Sequence, residues 1–269
     1  MFVSLRQTII VITLASTSVV SMAATANAGA RPLPEGPAGR PARLADGQVA
    51  KPPHLSARIQ SSGCRPAGYG PHYYAPGTAK SVALTFDDGP GKSTRRILRI
   101  LHTFRLPATF FNLGDNAAVH RRLLKVELSR GFVLGNHTWD HADLVNLSAA
   151  KQAAEMDRMS TEQHAITHTW PCLFRPPYGA YNKRTLHLAQ RRRMRVWLWS
   201  VDTEDWKANG SGSGYWIRRI IRLAETEGIK LRHPVILMHN QPAGNPATVG
   251  ALPTIIRYFK HHHYRFVKL

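Results

Sequence analysis

Strand-like and helix-like segments alternate along most of this chain, and the alternation predicts an α/β protein built on a parallel sheet. Two observations carry the prediction. Seven short segments, at 81–86, 108–114, 132–138, 173–178, 195–202, 234–240 and 264–269, are apolar and β-branched or aromatic, as buried parallel strands are. Between them lie helical patterns.

The first strand leads to a helix at 93–104, where Ile97, Ile100, Leu101 and Phe104 share one face. A helix at 147–159 follows the third strand, with Ser148 as its N-cap. Further helices are expected at 182–193, 215–227 and 248–262. Periodicity leaves open whether the sheet is open or closed into a barrel.

Outside this region the chain has other uses. Arg6 precedes an apolar run from Thr8 to Ala24, which is followed by Ala26-Asn27-Ala28. This is the pattern of a secretory signal peptide over 1–28, with the run short for a membrane span. Residues 29–63 are rich in Pro, Gly and Arg and read as an extended linker. The folded domain is then 64–269. Export makes a disulfide between Cys64 and Cys172 the expected state of the two cysteines.

The 269 residues carry a formal charge of +20, and 43% are hydrophobic. The apolar content excludes a disordered chain. The charge implies an anionic partner, and 29 basic against 14 acidic side chains past Arg65 place it on the folded part. Export argues against nucleic acid, and no basic stripe interleaved with aromatics supports it. An anionic cell wall fits better.

Ionisable residues stand at the C-terminal ends of five of the strands: Asp87 and Asp88, His137 with His141 beyond it, Arg175 before Tyr178, Asp202, and His239. That rim is where α/β barrels and open sheets build active sites. His137 and His141, at i and i+4, would face the same way on a helical turn, but a metal needs a third ligand. The pair Asp87-Asp88 offers one, with the following Gly89-Pro90 turn letting both carboxylates enter one cavity. One would bind metal while the other serves as general base. A His2Asp site with an open position activates water for hydrolysis. Arg175 would hold Asp87 ionised, and Asp202 would hold His239 protonated as general acid. Gly91-Lys92-Ser93 looks like the end of a phosphate-binding loop, but Phe86 stands where that loop needs glycine.

Five motifs, in order, resemble those of the polysaccharide deacetylases, carbohydrate esterase family 4 or the NodB homology domain. They are Thr85-Phe-Asp-Asp-Gly-Pro90, His137-Thr-Trp-Asp-His141, Arg175-Pro-Pro-Tyr-Gly179, Asp202-Thr-Glu-Asp-Trp206 and Leu237-Met-His239. The resemblance implies a distorted (β/α)7 barrel in a single catalytic domain. It implies Asp87 as base, and Asp88, His137 and His141 as ligands of zinc or sometimes cobalt. Arg175 would tether the base, Asp202 would tune the acid His239, and the Tyr178 N–H would hold an oxyanion. Trp206 and Leu237 would line a pocket for the acetyl methyl. The implied reaction is metal-dependent removal of N-acetyl groups from a polymer of N-acetylglucosamine, either peptidoglycan or chitin oligomers, by a secreted monomer. The alternatives are O-acetyl removal from acetylxylan and a wall-binding module without catalysis.

Overall fold

The computed structural model describes residues 64–65, 67–241 and 245–269. The expected signal peptide and linker lie outside the described residues. Among the described residues nine strands form one sheet, and all of its strand pairings are parallel. They are β1 (Pro71–His72), β2 (Ser81–Gly89), β3 (Thr109–Asn112), β4 (Val133–Asn136), β5 (Leu173–Phe174), β6 (Arg195–Trp197), β7 (Val201–Asp202), β8 (Val235–His239) and β9 (Arg265–Phe266). Their order is β1-β6-β5-β4-β3-β2-β8-β7, with β9 beside the start of β2.

The expected strand at 195–202 is divided. Its first half, β6, pairs with β5, and its second half, β7, pairs with β8. One stretch of chain therefore meets both flanks of the curled sheet, which makes the distorted barrel. The break has a cause. Arg175 donates from Nε to the Trp197 carbonyl at 3.2 Å and from Nη2 to the Leu198 carbonyl at 2.9 Å, taking acceptors a strand ladder would use.

β2 is buried along all nine residues. Val82, Leu84 and Phe86 join the core beneath the helices, each burial contributing roughly 1.5–3 kcal/mol. Thr85 and Asp87 alternate with them and meet Arg175 instead. The period-two pattern thus puts core on one face and polar site on the other.

Seven α-helices surround the sheet among the described residues: α1 (Thr94–Phe104), α2 (Gly114–Val119), α3 (Arg121–Ser129), α4 (Ala149–Thr167), α5 (Lys183–Arg191), α6 (Gly214–Gly228) and α7 (Pro246–His261). Ser148 caps α4 by accepting from the Lys151 N–H, as expected, though the helix runs eight residues past 159. α2 and α3 fall where the sequence pattern gave no helix. Both are short, and Gly114 and Asn116 are poor helix formers.

Cys64 and Cys172 form the expected disulfide, with Cα atoms 5.4 Å apart. The bridge closes a sequence separation of 108 residues, for which the loop-entropy account gives about 4–5 kcal/mol. Among the described residues no helix is long and apolar enough to cross a membrane.

Candidate active site

The rim of the barrel gathers the ionisable residues into a cleft of about 830 Å³. Strict alternation would send Asp87 and Asp88 to opposite faces of β2. Asp88 instead has φ 68°, and the register with β3 skips it, pairing Asp87 with Phe111 and Gly89 with Asn112. This bulge turns both carboxylates into the cleft. The expected role of the Gly89-Pro90 turn therefore passes to Asp88 itself. Gly89 serves a different need, since a β-carbon there would come within 2.3 Å of the Asn240 amide.

The helical turn expected for His137 and His141 is absent. The segment is an irregular loop in which Thr138 and His141 have φ of 74° and 66°. Side chains hold it in that shape. The Asn136 Oδ1 accepts the Thr138 N–H at 2.8 Å, and Glu155 Oε2 accepts the Trp139 N–H at 2.9 Å. The imidazoles still converge. His137 Nε2 and His141 Nε2 lie 3.3 and 3.4 Å from Asp88 Oδ1.

The donor set of Asp88, His137 and His141 fits a divalent metal on the chain's own geometry. Its ligand atoms all lie within 4.8 Å of one another. His137 Nδ1 sits 2.6 Å from the Arg175 carbonyl, an acceptor that takes the N–H of that nitrogen and turns Nε2 towards Asp88. Burial, with His137 beside it, pushes the His141 pKa down, which favours the neutral ring a metal ligand needs. Asp88 Oδ1 is buried without a hydrogen-bond partner. Two converging imidazole nitrogens and a carboxylate oxygen without a donor make a ligand set that suits a cation.

Arg175 is fully buried and tied by four hydrogen bonds. Nη1 donates to Thr85 Oγ1 and to Asp87 Oδ1, each at 2.8 Å, and the guanidinium lies over the Phe111 ring at 4.2 Å. The other oxygen of Asp87, Oδ2, stays 3.8 Å from His137 Nε2, beside the metal ligands.

On the opposite wall, one expectation is corrected. The carboxylate bonded to His239 belongs to Asp205, not Asp202. Asp205 Oδ1 lies 2.6 Å from His239 Nδ1, Oδ2 accepts the His239 N–H at 2.8 Å, and the Thr248 hydroxyl also donates to Oδ2. Burial alone would lower the His239 pKa, but its pairing with Asp205, helped by Asp88 and Asp87, pushes it up to about 9. Asp202 lines the cleft, but its Oδ1 accepts the Glu204 N–H at 2.7 Å. Burial raises the Asp202 pKa. The chain reverses between the two acids through Glu204, at φ 53°, and a 3-10 turn at Asp205–Ala208 carries Asp205 under β8. Asp205 belongs to the same five-residue motif and precedes Trp206, but nothing in that motif tells it apart from Asp202.

Tyr178 has φ 59°, and its N–H makes no hydrogen bond to a described residue. Its ring meets that of His141 at 4.5 Å. Trp206, half exposed, and Leu237, buried, line the cleft with Trp199, Lys92, Asn116 and Gln241, four residues that the sequence did not single out for the site.

A parallel barrel with a cleft at its strand C-termini, an Asp-His-His triad, an Arg-bound aspartate and an Asp-bound histidine defines a class of hydrolase-like sites. Comparison with known proteins specifies the class. The family model for polysaccharide deacetylase matches residues 74–197. A peptidoglycan-N-acetylglucosamine deacetylase of Bacillus cereus is 33% identical over 199 residues, covering 73% of this chain and 70% of that one. A peptidoglycan-N-acetylglucosamine deacetylase of Listeria monocytogenes is 34% identical over 193 residues, 71% of this chain, but the match spans only 38% of the Listeria protein. Among solved structures, a peptidoglycan N-acetylglucosamine deacetylase in complex with 4-naphthalen-1-yl-N-oxidanyl-benzamide superposes with TM-score 0.69 at 32% identity, covering 75% of this chain and 91% of that one. The chain belongs to the polysaccharide deacetylase family.

Proposed function

We propose that this protein hydrolyses N-acetyl groups of an N-acetylglucosamine polymer in the cell wall, with peptidoglycan as the favoured substrate, releasing acetate. The observation that carries the reading is the pairing of a base and an acid across one cleft. Asp87 is held by Arg175 beside the metal triad, and His239 is held protonated by Asp205.

A divalent ion on Asp88, His137 and His141, with zinc or cobalt as the fitting choices, would supply Lewis acidity to the acyl carbonyl and acidify water at the site. Asp87 takes the proton of the attacking water through the oxygen that Arg175 leaves open. Arg175 fixes the rotamer of that base with its own four bonds. The unpaired N–H of Tyr178 donates to the carbonyl oxygen as charge develops on it. His239 gives its proton to the departing amine, and Asp205 holds the ring with Nε2 towards the cleft. Trp206 and Leu237 enclose the acetyl methyl. No covalent bond to the protein forms in this sequence.

Peptidoglycan is favoured because the folded region is strongly basic and both named relatives carry peptidoglycan N-acetylglucosamine in their names. The reading includes export by the segment at 1–28. The test is acetate release from peptidoglycan, chitin oligomers and acetylxylan by the wild type, Asp87→Asn and His239→Ala, with and without a chelator. The reading predicts acetate from the first substrate and a fall of roughly 10²–10⁴ in each variant. Release from acetylxylan alone would favour the O-acetyl alternative. Turnover that survives both substitutions would remove the assignment altogether.

A further inference from the structure

One charged side chain in the cleft, a lysine, has no part in the chemistry above. Lys92 lines it and is exposed. Among the residues that line the cleft it is the sole Lys or Arg, set against the carboxylates of Asp87, Asp88 and Asp202. It enters no ion pair with any described residue.

The fold gives Lys92 a fixed mount. The preceding Gly91 donates its N–H to Thr94 Oγ1 at 2.7 Å, and its carbonyl accepts the Thr94 N–H at 3.1 Å. A β-carbon on Gly91 would lie 1.9 Å from the Gln241 side chain, so backbone and side chain are in close contact there. The ammonium therefore swings from a pinned root at the cleft edge.

Helix stability does not account for this lysine. Lys92 comes two residues before α1, whose first turn contains no acid. A cation at a helix N-terminus is opposed by the helix dipole. A neutral glycan would offer the ammonium hydrogen-bond acceptors but no opposite charge.

We infer that Lys92 is a specificity-determining residue that pairs with a carboxylate on the sugar adjacent to the one being deacetylated, so that the cleft selects acidic glycan strands over neutral ones. The inference rests on the deacetylase reading and deepens it. In peptidoglycan the carboxylate has two sources. One is the stem peptide, and the other is the lactyl group of the neighbouring sugar once the peptide has been removed. Both present the same chemistry at different reach.

The experiment compares kcat/KM on three substrates: glycan strands with stem peptides, the same strands after amidase treatment, and chitin oligomers. For Lys92→Met, the ratio of kcat/KM on acidic strands to that on chitin oligomers should fall about tenfold, through KM. Lys92→Arg should keep the ratio. Raising the salt concentration should lower the wild-type ratio and leave that of Lys92→Met in place. The acidic substrate with the larger loss identifies the source of the carboxylate. A ratio unchanged by Lys92→Met overturns the inference while acetate release still supports the deacetylase reading. No acetate from any of the three glycans overturns both.

Discussion

Among the described residues two carboxylates are fully buried, and the barrel treats them in opposite ways. Asp205 and Glu127 both have 0% exposure. Asp205 stands under the cleft with a ring N–H, a backbone N–H and a hydroxyl donating to its two oxygens. Glu127, on α3, has a single donor, the Asn112 amide at 2.7 Å on Oε2, while its Oε1 has no partner. Burial pushes the Glu127 pKa up to about 8, against which the Asn112 bond works only in part. Asp205 is bonded to the His239 ring, whereas Glu127, with its pKa raised to about 8, is held towards the uncharged acid at neutral pH.

The unpartnered atoms explain the second case. Asn112 Oδ1 is also buried without a donor. A proton on Glu127 Oε1 can satisfy both oxygens in a head-to-head pair of acid and amide. The contrast shows where this fold tolerates buried charge. Burying an ion costs several kcal/mol unless a partner compensates, and compensation is concentrated where the proposed reaction needs a fixed charge.

The contrast can be broken first on the charged side. Arg175→Met leaves Asp87 buried beside the triad without its counter-ion. It should cost about 3–5 kcal/mol in denaturant unfolding and lower acetate release at least about a hundredfold. Wild-type stability in this variant would show that the ion pair is dispensable to the fold.

Asp205→Asn is expected to act more gently. The folded pKa of His239, about 9, lies above its ordinary 6.5. The protonated ring is therefore present below about pH 9 and lost above it, and the stability it contributes is full below 6.5 and lost between 6.5 and 9. Removing the Asp205 charge should move the alkaline limb of the pH–rate profile towards acid, by more than its effect on KM. An unmoved limb would assign that limb to another group.

The smallest effect on activity should come from the uncharged side. The folded protein keeps a Glu127 proton that the unfolded chain releases above 4.5. Wild-type stability should thus decline as pH rises from about 4.5 to 8 and level off beyond. Glu127→Gln supplies the missing donor permanently and should flatten that decline, measured as Tm at pH 5 and 8, with acetate release near wild type. A decline of equal slope in the variant would show that Glu127 is not its source.

How much of this could be read in advance depended on the kind of interaction. The strand ends and the triad residues were legible, because burial and motif spacing are written into consecutive residues. The identity of the carboxylate behind His239 was not. Asp202 and Asp205 are three residues apart and chemically alike, and only the reversal at Glu204 decides which one reaches β8. The break in 195–202 was hidden for a similar reason. Its cause, Arg175, lies about twenty residues upstream and acts through carbonyls, which have no signature in the sequence. The loop bearing His141 is likewise shaped by Glu155 and Asn136 from outside it.

Arg175 also makes the two halves of the cleft interdependent. Its guanidinium positions Asp87, and its own carbonyl accepts from Nδ1 of His137 and so orients that ring. The candidate metal triad and the proposed base are thereby gauged from a single residue, which the next two residues, Pro176 and Pro177, stiffen. An engineer seeking a different metal or a wider cleft could exchange ligands or lining residues one at a time. The spacing between the ion and the proton acceptor would remain a property of this one backbone unit, and it would drift only if that unit moved.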